Sequence, residues 1–181
     1  MVVRMQTKIY KVDSAHIENE KMREAADLIR RGELVAFPTE TVYGLGADAL
    51  RPEASKKIYA AKGRPSDNPL IVHIAKYEDL ERIAKEVPKE AKILSDAFWP
   101  GPMTLIFKKK ECVPKETTGG LDTVAIRFPN HPVAMALIRE SGVYIAAPRT
   151  DFKPNVALTS IPYKGIKLIG FNFTEGQYYY K

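Results

Sequence analysis

Lys62 and Arg64 stand two positions apart in Lys62-Gly-Arg-Pro-Ser-Asp-Asn-Pro69, where Gly63 permits an unusual backbone angle and Pro65 stiffens the loop. A planar guanidinium fork beside a mobile ammonium suits the oxygens of a triphosphate. The same two cations would also stabilise the C-terminus of a helix ending there, and residue types alone leave both readings open. A second polar stretch, Phe37-Pro-Thr-Glu-Thr-Val-Tyr-Gly-Leu-Gly46, sets two threonines, a glutamate and a tyrosine directly after an apolar run. Loops at the carboxyl ends of strands are where a sheet aims hydroxyls and amides at a ligand, although the stretch equally suits a turn whose Thr and Glu cap the next segment. It lacks the G-x-x-x-x-G-K-[ST] pattern of a phosphate-cradling Walker loop.

Arg127 ends the apolar run Thr123-Val-Ala-Ile, and a guanidinium on a buried strand is costly unless an acid or a bound anion pairs with it. His73, inside Leu70-Ile-Val-His-Ile74, reads either as a hydrogen-bonded core residue or as a ligand contact. Thr41, Lys62, Arg64, Asn68, His73, Thr123 and Arg127 are the residues that one basic, hydroxyl-lined pocket would gather. No Ser/His/Asp order, no H-E-x-x-H and no paired acids at a strand end accompany them, so covalent or zinc-dependent hydrolysis lacks its residues. Trp99-Pro100-Gly101-Pro102 reads as a rigid turn with a half-buried indole, or as a platform for a stacked base.

The elements that must hold these residues alternate. Met22, Ala25, Ala26 and Ile29 have helical spacing and Gly32 follows as a stop. Glu33 to Pro38 reads as a buried strand, Pro52 to about Lys62 as a helix with proline in its first turn, and Leu70 to Ile74 as a strand. Leu80 to Val87 and Ala91 to Phe98 read as helical stretches divided at Pro88, with strands at Met103–Phe107 and Thr123–Phe128. The charged segment between those strands, Lys108 to Leu121, is long enough to suggest function. A helix over His131–Glu140 closed by Gly142, and a strand over Val143–Ala147, complete a mixed α/β pattern: an open twisted sheet with at least one covered face, in a single domain over residues 1–181.

The chain's 181 residues and 45% hydrophobic content support one real core and exclude a disordered tail. A single cysteine excludes an internal disulfide, and His16, His73 and His131 are too scattered for structural zinc; the metal ligands of the site, if any, stay unassigned. No apolar run approaches the roughly 20 residues of a membrane span, and the start of the chain is too charged for a signal peptide, so a cytoplasmic location and no membrane partner are expected. The +6 net charge suits an anionic ligand, nucleotide or RNA, without choosing between them.

Four segments together resemble the Sua5/YrdC family, the threonylcarbamoyl-AMP synthases. They are Phe-Pro-Thr-Glu-Thr-Val-Tyr-Gly-Leu at 37–45, Lys-Gly-Arg-Pro-Ser-Asp-Asn-Pro-Leu at 62–70, Phe-Trp-Pro-Gly-Pro-Met-Thr at 98–104 and Val-Ala-Ile-Arg-Phe-Pro at 124–129, in family order and spacing. The resemblance covers about residue 10 to Pro148. It implies a YrdC-like twisted sheet around a basic cavity, and a nucleotidyltransferase that condenses L-threonine, bicarbonate or CO2, and ATP to threonylcarbamoyl-AMP and pyrophosphate. The product would feed the downstream transferase machinery that modifies adenosine 37 of tRNA. By motif position it implies that Thr41, His73 and Arg127 hold L-threonine and that Lys62, Arg64, Asn68 and Thr123 bind ATP, with Lys62 and Arg64 acting in catalysis. Mg²⁺ bridging phosphate oxygens is expected on chemical grounds. Two alternatives accompany this reading: a module that binds double-stranded RNA or tRNA without catalysis, and a carbamoyl-adenylate domain of the hydrogenase-maturation type.

The resemblance stops at Pro148. The family continues Ser-Ala-Asn, with contacts to threonine and nucleotide, where this chain has Arg149-Thr150-Asp151. So abrupt a change is expected of a frameshifted, recombined or differently recorded terminus rather than of gradual divergence, and the extra C-terminal domain of longer Sua5 proteins is not expected. Arg149 in place of a serine is expected to fill part of the threonine pocket, the alternative being that its charge replaces part of the lost contacts. Ile166-Lys-Leu-Ile-Gly-Phe-Asn-Phe173 keeps the apolar character of a last sheet strand.

Overall fold

Met22, Ala25, Ala26 and Ile29 form the buried stripe of helix α1, Asn19–Arg30. Gly32, with φ of 76°, closes it: the Gly32 N–H bonds Ile29 O and the Glu33 N–H reaches back to Leu28 O, a Schellman pattern that needs a left-handed residue. Gly63 closes α2, Pro52–Lys62, in the same left-handed conformation. In this computed structural model, residues 7–40, 42–63, 66–148 and 168–172 are described. The other α-helices among the described residues are the single turn α3, Leu80–Ile83, which follows a 3-10 turn at Tyr77–Asp79, then α4, Lys89–Phe98, and α5, Pro132–Ser141.

Among the described residues eight strands form one mixed sheet: β1 Lys8–Lys11, β2 Leu34–Pro38, β3 Tyr43–Asp48, β4 Ile71–His73, β5 Thr104–Lys108, β6 Thr123–Arg127, β7 Ile145–Ala147 and β8 Leu168–Asn172. Their spatial order is β1-β8-β2-β3-β7-β4-β6-β5. The apolar segment near 166–173 does supply a strand, inserted parallel between β1 and β2. One sheet face buries Leu34, Ala36, Leu45, Ala47, Val72, Val124 and Ile126 against α2 and α3. On the opposite face α1 and α5 cover Val35, Phe37, Ile145 and Ala147.

Sequence expectations change at three places. Leu80–Val87 is helical only over Leu80–Ile83, because Ala84 turns extended and bridges antiparallel to Lys109. Phe37–Gly46 is not an extended loop, because Tyr43–Asp48 turns back as β3 and pairs antiparallel with β2, with Thr39 and Val42 hydrogen-bonded to each other between the two strands. Gly44 and Gly46 weaken the strand signal, yet packing requires Gly46: a Cβ there would lie 2.6 Å from both Ile145 Cγ2 and the Phe37 ring. Gly46→Ala is therefore expected to destabilise the fold by about 1–3 kcal/mol, read as a lower urea midpoint at unchanged m-value. In α4 the helical spacing of Ala91, Leu94 and Phe98 suggests one apolar face, yet the helix buries Ala91 and Ser95 and turns Leu94 and Phe98 outward. Ser95 is suited to burial because its hydroxyl bonds Lys92 O within the helix.

Candidate functional site

Register and alternation define an open patch on the sheet. His73, Arg127 and Thr104 are laterally paired at one end of β4, β6 and β5, and Ile71, Ala125 and Ile106 are paired two residues away. Register partners share a face. Their strand neighbours Val72, Ile126 and Phe107 are buried in the core on the opposite face, so this set faces away from it. Helices α1 and α5 cover the same face only as far as β2, β3 and β7. Beyond them Ile71, Ala125 and Thr123 are half-buried and Ile106 is 69% exposed, which leaves an apolar floor open to a ligand.

The closed end of this floor is built around Arg127. Its Nη2 donates to Glu40 Oε2 at 2.8 Å and its Nε to Gly101 O at 3.3 Å. The other Glu40 oxygen accepts the Asn130 N–H at 2.7 Å. Arg127 therefore has the acid that its burial demands, from the turn after β2, and that turn is held by reciprocal Thr39–Val42 hydrogen bonds. Gly101 belongs to the Trp-Pro-Gly-Pro turn, where the half-buried Trp99 indole donates to Met103 O and rests edge-on against Phe128. A Cβ on Gly101 would sit 2.4 Å from Phe98 O, so the turn that offers this carbonyl requires glycine.

His73 is 3% exposed, edge-on to Phe37 with ring centroids 5.6 Å apart. Its Nδ1 faces two acceptors, Ile71 O at 3.1 Å and Ile145 O at 3.2 Å, so Nδ1 carries the hydrogen and Nε2 is left as a hydrogen-bond acceptor. Burial, reinforced by the neighbouring Arg127 charge, lowers its pKa to about 4 and keeps the ring neutral.

Lys62, Asn68, Pro69, Ile71 and Pro148 line a small cavity at the other end, together with Ile58 and Tyr59 of α2. Tyr59 donates to Asn68 O at 2.7 Å, and burial pushes its own pKa up to about 12. The segment Lys108–Leu121 acts as a buttress. Thr117 O accepts the Leu70 N–H, the Thr117 hydroxyl bridges Ser55 and Ala49 O, and Gly119 packs where a Cβ would meet Asp67 O at 2.7 Å. Thr123 begins β6 at this end, four residues before Arg127, so the two ends lie roughly 13 Å apart along the strand. Ile71 and His73, alternate residues of β4, connect them.

The structure thus brings His73 and Arg127 together and groups Lys62 with Asn68, with Thr123 on the same open face as Arg127. Thr41, Arg64 and Arg149 lie outside the described residues. Glu40 and the Gly101 carbonyl were not singled out from sequence; a buried arginine needing a counter-ion signalled the first, and nothing in the sequence signals a backbone carbonyl. Among the described residues no three His, Cys, Asp or Glu side chains gather to hold a metal, and no helix is long and apolar enough to cross a membrane.

The family model Sua5/YciO/YrdC, described as "Telomere recombination", matches residues 27–164. The chain belongs to this family. The Sua5/YciO/YrdC match extends past Pro148, where the motif resemblance stops. A threonylcarbamoyl-AMP synthase of Pyrococcus abyssi is 58% identical over 144 residues, 80% of this chain and 42% of that protein. One of Bacillus subtilis is 55% identical over 140 residues, 77% of this chain and 40% of that protein. The crystal structure of P. abyssi Sua5 complexed with L-threonine superposes with a TM-score of 0.82 at 50% identity, over 92% of this chain and 50% of that one. The mixed sheet is thus a Sua5-type fold, and the chain spans about two-fifths of the length of these two relatives.

Proposed function

We propose that this chain forms threonylcarbamoyl-AMP from L-threonine, bicarbonate or CO2, and ATP, with release of pyrophosphate, as a cytoplasmic step toward threonylcarbamoyl-adenosine in tRNA. The observation that carries the reading is the two-ended open face. One end, where the Arg127 guanidinium is paired with Glu40 beside a neutral His73, shares one apolar floor with an end lined by Lys62 and Asn68, with Thr123 of β6 on the same open face. The relatives' names and the L-threonine in the P. abyssi complex support it.

The residues divide the work by charge and reach. Arg127 is assigned the threonine carboxylate, the His73 Nε2 a hydroxyl or amine proton, and Thr41 a further contact at the same end. Lys62, Arg64, Asn68 and Thr123 are assigned to ATP, with Lys62 and Arg64 meeting the charge that builds on the departing pyrophosphate. No protein nucleophile is required. The threonine amine adds to CO2 and loses a proton to become a carbamate, whose oxygen attacks the α-phosphorus as the bond to pyrophosphate breaks. The protein's contribution is to align the partners and exclude water. A Mg²⁺ ion arriving with ATP would draw its ligands from phosphate oxygens and water.

The test is pyrophosphate release from ATP and bicarbonate, with and without L-threonine. Release that requires threonine and falls by about 10²-fold or more in Lys62→Ala/Arg64→Ala is expected. Unchanged release in the double variant removes those two residues from catalysis. Binding of double-stranded RNA with a steep salt slope, and no threonine-dependent turnover, would overturn the synthase reading.

A further inference from the structure

The Arg127–Glu40 pair raises a selectivity question that the reaction itself does not answer. The other charged participants in the proposed reaction, ATP, bicarbonate and pyrophosphate among them, are anions. A buried guanidinium standing alone attracts any of them, as well as any simple carboxylate, because a desolvated charge binds whatever neutralises it. Arg127 does not stand alone. Its side chain is 8% exposed and its Nη2 lies 2.8 Å from Glu40 Oε2, with Glu40 21% exposed. The carboxylate is fixed on its other side by the Asn130 N–H at 2.7 Å. Neighbouring His73 adds no charge while neutral, so the described charges at this end sum to zero. A ligand bringing only a negative group leaves net charge in a desolvated site, whereas one bringing a carboxylate and an adjacent ammonium matches the pair group for group.

We propose that Glu40 is the specificity-determining residue of this end of the cleft: it neutralises Arg127 and pairs with the ligand's ammonium, so the site accepts an α-amino acid zwitterion and rejects simple carboxylates and inorganic anions. The proposal rests on the reading of this end as the threonine subsite. It assigns Glu40 more than the orientation of Arg127, and the two roles separate experimentally.

Calorimetric titration of wild type, Glu40→Gln and Glu40→Asp with L-threonine and with 2,3-dihydroxybutanoate, which has a hydroxyl in place of the ammonium, tests it. Wild type should prefer threonine by about 10- to 100-fold, the range of a charge-assisted contact. Glu40→Gln should weaken threonine, tighten 2,3-dihydroxybutanoate and bring the two within a few-fold, and inorganic pyrophosphate should now compete with threonine. Glu40→Asp keeps the charge and should keep the preference even if both affinities drop. Equal weakening of both ligands in Glu40→Gln with the preference intact overturns the proposal in favour of a pure positioning role, and so does loss of the preference in Glu40→Asp. Wild type binding both ligands alike overturns it while leaving the threonine reading in place. Binding of neither ligand removes the threonine reading and this proposal together.

Discussion

Arg127→Ala is expected to lower the unfolding free energy by about 3–5 kcal/mol and to reduce threonine-dependent pyrophosphate release to background, a double loss with one cause. The variant strips the partner from Glu40, whose carboxylate then keeps, among the described residues, the Asn130 N–H alone in a largely desolvated position. It also removes the donor to Gly101 O and the only cation on the floor paired laterally with His73 among the described residues. Stability and activity separate in a second variant. Arg127→Met/Glu40→Gln replaces the ion pair with neutral groups of similar size, and buried pairs replaced in this way commonly cost little or even stabilise. Urea denaturation should therefore return most of the lost stability in the double variant, while pyrophosphate release stays at background because no cation meets the substrate carboxylate. If release recovered along with stability, Arg127 would be a structural residue and the carboxylate assignment would fall. Full stability in Arg127→Ala would show that Glu40 is solvated well enough to need no partner.

What the sequence disclosed and what it hid divide along the range of the interactions involved. Helices α1 and α2 were legible because their stops are local: Gly32 and Gly63 sit where a left-handed residue is needed, a few positions from the apolar stripe they terminate. The Trp-Pro-Gly-Pro turn was legible for the same reason. Strand β3 was hidden because its glycines answer to a distant constraint, the Phe37 ring and Ile145 crowding Gly46, and glycine by propensity alone argues against a strand. Glu40 was hidden because an acid in a short turn is indistinguishable from a cap until its partner, 87 residues away, is known. Arg127 drew attention as a charge on an apolar strand, so the need for a counter-ion was visible and its identity was not. His73 was left between core and ligand: its Nδ1 is spent on backbone carbonyls like a core histidine, and only the register, set by residues of other strands, places it beside Arg127. The buttressing role of Lys108–Leu121 depends on Thr117 and Gly119 reaching the Asn68 loop, contacts that no local pattern encodes.

Acidification is expected to destabilise the fold through His73. The imidazole has a folded pKa of about 4 against an ordinary 6.5, first because burial excludes water from the charged form and second because Arg127 repels it. Between those two values the unfolded chain binds the proton more readily than the folded one. Stability contributed by the neutral ring is thus complete above about pH 6.5, declines as the pH falls through the window, and is lost below about 4. The full difference is on the order of 3 kcal/mol. His131, whose pKa burial also lowers, adds in the same direction, whereas Asp48, whose pKa burial raises, acts oppositely. A His73→Gln variant isolates the contribution, because an amide can still donate to the Ile71 or Ile145 carbonyl but cannot titrate. Urea midpoints for both proteins at pH 7.5, 5.5 and 4.5 should show the wild type losing stability more steeply, with the two curves converging toward acid while all other groups cancel in the difference. Parallel curves would mean that His73 takes up its proton in the folded state without penalty. The neutral-imidazole description, and with it the Nε2 acceptor assigned to the substrate end of the cleft, would then be wrong.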